Sequence, residues 1–501
     1  MEKRLAELKL RLREINDLES AAALLSWDQS TYMPPGGAAA RGRQMATLSR
    51  LAHEKMTDSA IGNLLDDLRP YEEGLPYDGD DASLIRVSRR DYQRAIRIPP
   101  SLMAEVMQHG AHSYQVWITA RPENDFAAVA GNLEKSIDLS LQVADCFPEK
   151  DHPADPLIDW GDPGMTARAV SELFGELRAE LVPLVRAITA QEPPQDAFLY
   201  NTYPEEEQMD FGLRIIKDYG YDFTRGRQDL TMHPFMTSFS IDDVRITTRV
   251  DRNNVKDALF STLHEAGHAM YGQGASKELE ATPLADGTSS GVHESQSRLW
   301  ENVVGRSHEL WSYYYPDLQA QFPDQLGQVP LDIFHRAINK VEPSLIRTES
   351  DEVTYNLHVM IRFDLELALL EGRLAVKDLP DAWHARYESD LGLRAADDSH
   401  GVLQDVHWYG GLVGGAFQGY TLGNIMTGAF YEAALKAIPD IPAQVSRAEF
   451  SPLHGWLREN IYQHGRKFTP DELVQRVTGG PLTIEPYMRY LRGKYGQLYA
   501  L

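Results

Sequence analysis

The sequence predicts a mainly α-helical protein, and two observations support this fold class. Apolar residues at Leu5, Leu8, Leu12 and Ile15 recur at helical spacing with charged residues between them, which is typical of an amphipathic helix. The same period returns in long stretches separated by clusters of Pro, Gly and Asp, such as TYMPPGG and DWGDPGM, which end helices. No internal repeat and no long Gly/Ser linker divides the 501 residues. We therefore expect one large helical body over residues 1–501, in which residues 1–80 could form an N-terminal helical lid.

Further helices are predicted wherever apolar residues keep this period between two breaks. They span residues 38–54, 102–119, 125–146, 166–190, 203–219, 255–272, 292–311, 331–341, 350–372, 378–389 and 425–437. Residues 237–250 differ, because TSFSIDDVRITTRV mixes alternating and β-branched residues around a central Asp-Asp pair. This pattern predicts a small β-hairpin directly upstream of the helix over 255–272.

Composition excludes several classes of partner. The formal net charge is -25, and such a field repels nucleic acids and anionic membrane surfaces. A single cysteine, Cys146, rules out an internal disulfide and favours a reducing compartment. The charged start MEKRLAELKLRLREIND is unlike a signal peptide, and no run of about eighteen apolar residues occurs. We expect a cytoplasmic protein with neither a nucleic-acid nor a membrane partner.

One segment carries a metal-binding pattern. NNVKDALFSTLHEAGHAMYG predicts a helix capped by Asn253 or Asn254. His264 and His268 are four residues apart, slightly more than one turn, so their imidazoles can converge on one tetrahedral Zn²⁺. Glu265 then points alongside, toward the water that such a metal binds. A match to HExxH alone is suggestive, and its position inside a predicted helix strengthens it.

A hydrolytic zinc site needs a third protein ligand and one open position. The segment VHESQSRLWENVVG, which follows a loop rich in Gly, Ser and Pro, predicts another helix with Glu294 near its start. Glu294 is therefore the expected third ligand of one Zn²⁺ per chain. Spacing leaves two alternatives open: His293 could be the ligand, and Glu294 could simply favour the helix dipole. The same ligand types also accept Co²⁺ or Mn²⁺.

Several short motifs follow one another along nearly the whole chain. They are WDQSTYMPP (27–35), HPF (233–235), DVRIT (243–247), HEAGH (264–268), HESQ (293–296), IRTESD (346–351) and GVLQDVHW (401–408). In this order they resemble the motifs of the M32 metallocarboxypeptidases, the thermostable carboxypeptidase Taq type. Two departures are Ser350, where that family usually has Ala, and YGGLVGGAFQGYTLGN after Trp408, where it usually has a Phe-Gly-Tyr-Phe-Pro run.

The resemblance implies a mostly helical body with a long substrate groove, and a homodimer. It also implies the release of single residues from peptide C-termini, with broad specificity except for proline. Peptide hydrolysis needs a nucleophile, a proton acceptor and stabilisation of the oxyanion. Glu265 is the expected general base, which takes a proton from the attacking water and later passes it to the leaving amine.

An enzyme that works from the C-terminus must also bind a free carboxylate. Arg347 in IRTESD is the family-matched candidate, because a guanidinium pairs both carboxylate oxygens. Arg347 could instead be the salt-bridge partner of Glu349 or Asp351, and Arg245 in DVRIT competes for the substrate role.

Three further residues, His233, His407 and Tyr420, could donate hydrogen bonds to the oxyanion or to the substrate backbone. Asp405 could orient a histidine or cap a loop. Two other functions stay open at this level: an endo-acting zinc oligopeptidase with the same ligands, and a non-catalytic helical binding protein whose HExxH is accidental.

Overall fold

Helices make up most of the chain in the computed structural model, which describes residues 1–501, so the predicted fold class is confirmed. Four helices form the N-terminal part: α1 (Glu2–Thr31), α2 (Ala38–Met56), α3 (Ser59–Glu72) and α4 (Asp80–Arg97). The apolar stripe of α1 is buried in a small core of 14 side chains, which also includes Leu279 and Leu284 from later in the chain. That residues 1–80 act as a lid stays a prediction.

The later helices build a larger body around a separate core of 94 buried residues. They are α5 (Pro100–Glu123), α6 (Phe126–Asp145), α7 (Asp155–Gly161), α8 (Ala167–Thr189), α9 (Glu205–Tyr219), α10 (Val255–Gly274), α11 (Ser290–Arg298), α12 (His308–Gln321), α13 (Pro323–Leu326), α14 (Leu331–Ile338), α15 (Tyr355–Leu370), α16 (Leu379–Leu391), α17 (His407–Gly410), α18 (Gln418–Ala437), α19 (Ile441–Val445), α20 (Ser451–Asn460), α21 (Pro470–Thr478) and α22 (Glu485–Tyr499).

A three-stranded sheet precedes α10. The predicted hairpin is confirmed as β2 (Met236–Ser240) and β3 (Asp243–Thr248), which pair antiparallel with a register irregularity between Ser238 and Ser240. A third strand, β1 (Gln228–Leu230), pairs parallel to β3 and was not predicted. Three residues are too few to show an alternating pattern in the sequence.

The predicted helix over 292–311 is wrong as one continuous element. After α11 the chain forms a π-helical turn over Leu299–Val304, and α12 starts only at His308. The Ser307 hydroxyl accepts a hydrogen bond from the backbone N–H of Leu310 and thereby caps a new helix. The apolar period continues through this junction, so the periodicity did not reveal the break.

The predicted helix over 350–372 begins five residues late, at Tyr355. The Asp351 carboxylate accepts hydrogen bonds from the backbone N–H groups of Val353 and Thr354, which forms a tight turn just before the helix. Short acidic side chains compete with helical hydrogen bonds in this way.

Several helices were not predicted, among them α3, α4 and the four from α19 to α22. The last four each carry Pro in their first two positions. Proline fits there because the first N–H groups of a helix have no partner within it. Judged by length and apolar content, none of the helices could cross a lipid bilayer.

Candidate metal centre

The predicted ligands come from two helices that pack closely against each other. Asn254 caps α10, since its side chain accepts a hydrogen bond from the backbone N–H of Lys256. Gly267 of α10 faces α11. A Cβ atom at this position would lie only 2.6 Å from the carbonyl oxygen of Gln296 and 2.7 Å from the Cα atom of Ser297. Only glycine permits this approach, and it brings Glu294 across from the two histidines of α10.

His264, His268 and Glu294 converge, with one ligand atom from each within 4.8 Å of the others. The Nε2 atoms of His264 and His268 lie 3.6 and 3.5 Å from Glu294 Oε2. Two ligand atoms at ordinary bond lengths on one tetrahedral zinc are about 3.4 Å apart. The donor types and their spacing therefore fit one divalent cation with no large rearrangement.

Glu301 orients the first histidine. Its Oε2 atom lies 2.8 Å from His264 Nδ1 and also accepts a hydrogen bond from Arg298, while Oε1 accepts one from Arg306. Burial alone would raise the pKa of Glu301, but Arg298 and His264 outweigh it and hold the pKa well below its usual range. An ionised carboxylate at Nδ1 directs the lone pair of Nε2 toward Glu294, which is the usual second layer around a metal-bound histidine.

We expect Glu301→Gln to weaken metal binding roughly 10- to 100-fold, because the amide cannot replace the charge that orients His264. Metal retention would be measured against buffers of defined free metal concentration. Glu309→Gln, on α12, is the control and should bind metal as the unchanged protein does. Equal affinity of the Glu301 variant and this control would contradict the role of Glu301.

His293 contacts the second histidine from the far side. Its Nδ1 atom lies 3.1 Å from His268 Nδ1, the nitrogen that faces away from Glu294, and its ring packs on Tyr271 at 4.7 Å. Burial lowers the pKa of His268 to about 4 and also lowers the pKa of His293. Both rings are then neutral, so one can donate and the other accept. This geometry favours Glu294 over His293 as the third ligand.

Glu265 lies beside the three converging side chains and is only 6% exposed. Burial raises its pKa to about 7. The carboxylates of Glu294 and Glu301 also raise this pKa, whereas His264 lowers it. A carboxylate with such a pKa can accept and return a proton near neutral pH.

A second cluster contains three of the residues predicted to bind substrate. The Nε and Nη2 atoms of Arg347 donate to the two oxygens of Asp405 at 3.0 and 2.8 Å, and Nη1 donates to Tyr355 Oη at 2.9 Å. His407 Nδ1 lies 3.4 Å from Asp405, and its Nε2 lies 3.5 Å from Tyr420 Oη. Arg347, His407 and Tyr420 are thus brought together.

Two predicted alternatives in this cluster are wrong. Arg347 pairs with Asp405, not with Glu349 or Asp351, because Asp351 is committed to backbone N–H groups before α15. Asp405 does not cap a loop either, since its two oxygens accept hydrogen bonds from arginines.

Arg298 and Tyr355, which were not predicted as site residues, connect the two clusters. Arg298 Nε donates to Glu294 Oε1 at 2.7 Å, and its guanidinium lies 4.5 Å from the ring centroid of Tyr355, which in turn bonds Arg347. Arg298 could have been noticed one turn after Glu294 on a predicted helix. Tyr355 carries no comparable signal in the sequence.

The other two candidates lie apart from these clusters. Arg245 on β3 pairs with Asp243 at 2.8 Å, and its guanidinium stacks over Trp27 of α1 at 4.5 Å. His233 is exposed between β1 and β2, and no hydrogen bond joins it to the metal-site residues. Their predicted roles in substrate binding remain predictions.

A groove of about 1050 Å³ separates the N-terminal helices from the main body. Its walls include Glu19 of α1, Phe239 of β2 and Asp286, and it extends to His293 beside the candidate metal ligands. The groove therefore ends next to the candidate metal centre, and its use as the predicted substrate groove stays a prediction.

The chain is similar to known proteins over almost its whole length. Residues 7–495 match the model of a family described as carboxypeptidase Taq (M32) metallopeptidase. The chain is 42% identical to thermostable carboxypeptidase 1 of Thermus thermophilus, over 97% of each chain. It is 35% identical to carboxypeptidase 1 of Bacillus subtilis, over 98% of this chain and 97% of that protein.

Solved structures agree with these relatives. The crystal structure of an M32 carboxypeptidase from Deinococcus radiodurans superposes with a TM-score of 0.96 at 51% identity and covers 100% of both chains. Metallocarboxypeptidase 1 of Trypanosoma cruzi superposes with a TM-score of 0.93 at 30% identity, over 99% of this chain and 100% of that one.

Proposed function

Because the chain belongs to the carboxypeptidase Taq (M32) family of metallopeptidases, we propose that it uses zinc and Glu265 to remove single residues from the C-termini of peptides. Membership in the family makes the protein a metallocarboxypeptidase, a hydrolase that acts on peptides and needs a metal. The observation that carries the finer proposal is the convergence of His264, His268 and Glu294 beside the buried Glu265.

Zinc is the metal we propose, because two imidazoles and one carboxylate form a common catalytic zinc ligand set. Co²⁺ or Mn²⁺ would suit the same ligands. When bound, such a metal polarises the scissile carbonyl and makes water acidic enough to be a nucleophile near neutral pH. In this chain Glu301 and His293 would hold His264 and His268 in the orientation that the metal requires.

Glu265 is proposed as the general base. It takes a proton from the attacking water and passes it to the nitrogen of the leaving residue, so that the peptide bond breaks without a free amide anion. Its burial supports this role, since a pKa of about 7 suits both halves of the proton transfer.

Arg347 is proposed to bind the C-terminal carboxylate of the substrate. Of the five N–H groups of a guanidinium, three are used by Asp405 and Tyr355, so two remain for a carboxylate. His407 and Tyr420, which lie beside each other, are proposed to donate hydrogen bonds to the oxyanion or to the substrate backbone.

An unblocked peptide and its C-terminally amidated form test the carboxypeptidase assignment. We expect the unblocked peptide to lose residues one at a time from the carboxyl end, as a mass-spectrometric time course would record. The amidated form should be trimmed roughly 10- to 100-fold more slowly, because it lacks the charge that Arg347 would bind. Internal cleavage of both peptides at equal rates would favour an oligopeptidase instead.

From the family resemblance and the composition, we also propose broad specificity for the released residue, exclusion of proline, a homodimer and a cytoplasmic location. Release rates from a set of peptides that differ only in the last residue, with proline included, would test the first two.

A further inference from the structure

Arg362 of α15 is a second buried arginine at the same carboxylate as Arg347. Its side chain is 0% exposed, and its Nε atom donates to Asp405 Oδ2. Its Nη1 atom donates to the carbonyl oxygen of His358 at 2.8 Å, and its Nη2 atom donates to Gln404 Oε1 at 2.8 Å. The same Gln404 oxygen accepts the backbone N–H of Arg347. Arg362 and Arg347 are therefore held by the same two acceptor side chains.

The charges in this cluster do not balance while the nearby Glu366, whose pKa burial raises to about 7, is neutral. Asp405 is the one carboxylate that forms an ion pair with either arginine, so two cations share a single anion. His358 adds no charge, because burial, Arg362 and Arg347 hold its pKa well below the usual value. An unbalanced buried charge is costly, and it points to an anion that arrives from outside.

Without Arg362, the pair of Arg347 and Asp405 would be neutral. An incoming carboxylate would then meet attraction from Arg347 that is partly offset by repulsion from the neighbouring Asp405. A second cation that bonds Asp405 offsets that repulsion, and because Arg362 is fully buried it stays out of contact with the incoming anion.

We propose that Arg362 is a positioning residue for substrate binding, which shares Asp405 with Arg347 and thereby leaves one positive charge for the C-terminal carboxylate of the peptide. This inference rests on the proposed function of Arg347. The substrate group that binds to this cluster is then a single carboxylate. The charge of Arg362 would influence KM, although Arg362 touches no reacting atom.

Arg362→Gln tests the inference, because it keeps a polar side chain but removes the charge. For a short unblocked peptide we expect KM to rise roughly 10- to 100-fold, with kcat changed by less than about threefold. Arg362→Lys restores the charge and should bring KM back toward the original value. Arg178→Gln is the matched control, since Arg178 pairs with Asp364, which lies two residues after Arg362 and therefore on a different face of α15. This variant should lower the urea midpoint and leave KM unchanged.

Glu366 provides an independent check through pH. Its Oε1 atom accepts the indole N–H of Trp408, and the charged groups that act on it are Arg362 and Asp405. Burial raises its pKa to about 7, so it is neutral at lower pH and cancels the excess charge once it ionises. Ionised Glu366 should therefore weaken substrate binding. At pH values well above 7, the KM of the unchanged protein should be higher than the KM of Glu366→Gln, and well below pH 7 the two KM values should agree.

The outcomes separate this inference from the function on which it rests. An unchanged KM for Arg347→Gln would remove the proposed function of Arg347. A raised KM for Arg347→Gln together with an unchanged KM for Arg362→Gln would overturn only the role of Arg362. If Arg362→Gln does not fold, two other results support the inference. Arg362→Lys should keep the original KM, and the KM of Glu366→Gln should differ from that of the unchanged protein only at high pH. Equal KM values for Glu366→Gln and the unchanged protein at high pH would overturn the inference.

Discussion

Glu265→Gln is expected to reduce kcat by roughly 10²- to 10⁴-fold while the protein keeps its fold and its metal. Glutamine has nearly the same shape as glutamate but cannot accept the proton of the attacking water. The neighbouring ligands His264, His268 and Glu294 are untouched by this change. Peptide turnover under saturating substrate, measured beside the bound metal per chain, checks both halves of the expectation.

The matched control for this variant is Glu309→Gln, which makes the same chemical change on α12. It should turn over peptides as the unchanged protein does. Near-normal turnover by Glu265→Gln at full metal content would end the assignment of Glu265 as the base. Loss of activity together with loss of metal would instead make Glu265 a structural support of the ligands.

Gly267→Ala is expected to destabilise the protein by about 3 kcal/mol and to weaken metal binding as well. The new methyl group would meet backbone atoms of Gln296 and Ser297 at 2.6 and 2.7 Å, and backbone atoms cannot rotate away as a side chain can. The helices α10 and α11 must then separate, which moves Glu294 away from His264 and His268. Urea unfolding and metal retention would measure the two effects.

Gly175→Ala serves as the control for helix propensity. Gly175 lies inside α8, and a Cβ atom there would have no heavy atom within 4 Å. Alanine should therefore stabilise the protein by about 0.5–1 kcal/mol, the ordinary gain of replacing glycine in a helix. A Gly267 variant that gains stability to the same extent would show that the close packing of α10 on α11 is not required.

Much of the candidate metal centre could be predicted because its spacing is local. His264 and His268 are four residues apart on one helix, so the helical repeat alone puts both rings on one side. The hairpin before α10 and the capping of that helix by Asn254 are local in the same sense. Glu294 was harder, since its approach depends on how α11 packs on α10.

The surroundings of the site could not be predicted in the same way. Asp405 was expected to cap a loop or orient a histidine. It does lie 3.4 Å from His407 Nδ1, but its oxygens accept hydrogen bonds from Arg347, 58 residues before it, and from Arg362, 43 residues before it. No periodicity or spacing rule links residues so far apart. The Glu301 contact with His264 spans 37 residues and was missed for the same reason.

The sequence by itself determined the helical fold class, the hairpin and the pair of histidines, because each depends on residues within a few positions of one another. Only the tertiary structure decided that Arg347 and Arg362 share one carboxylate. It likewise decided that Glu301 and His293 support the two histidines. These partners meet because separate helices pack around a common core, and the free energy of that packing is a property of the whole chain.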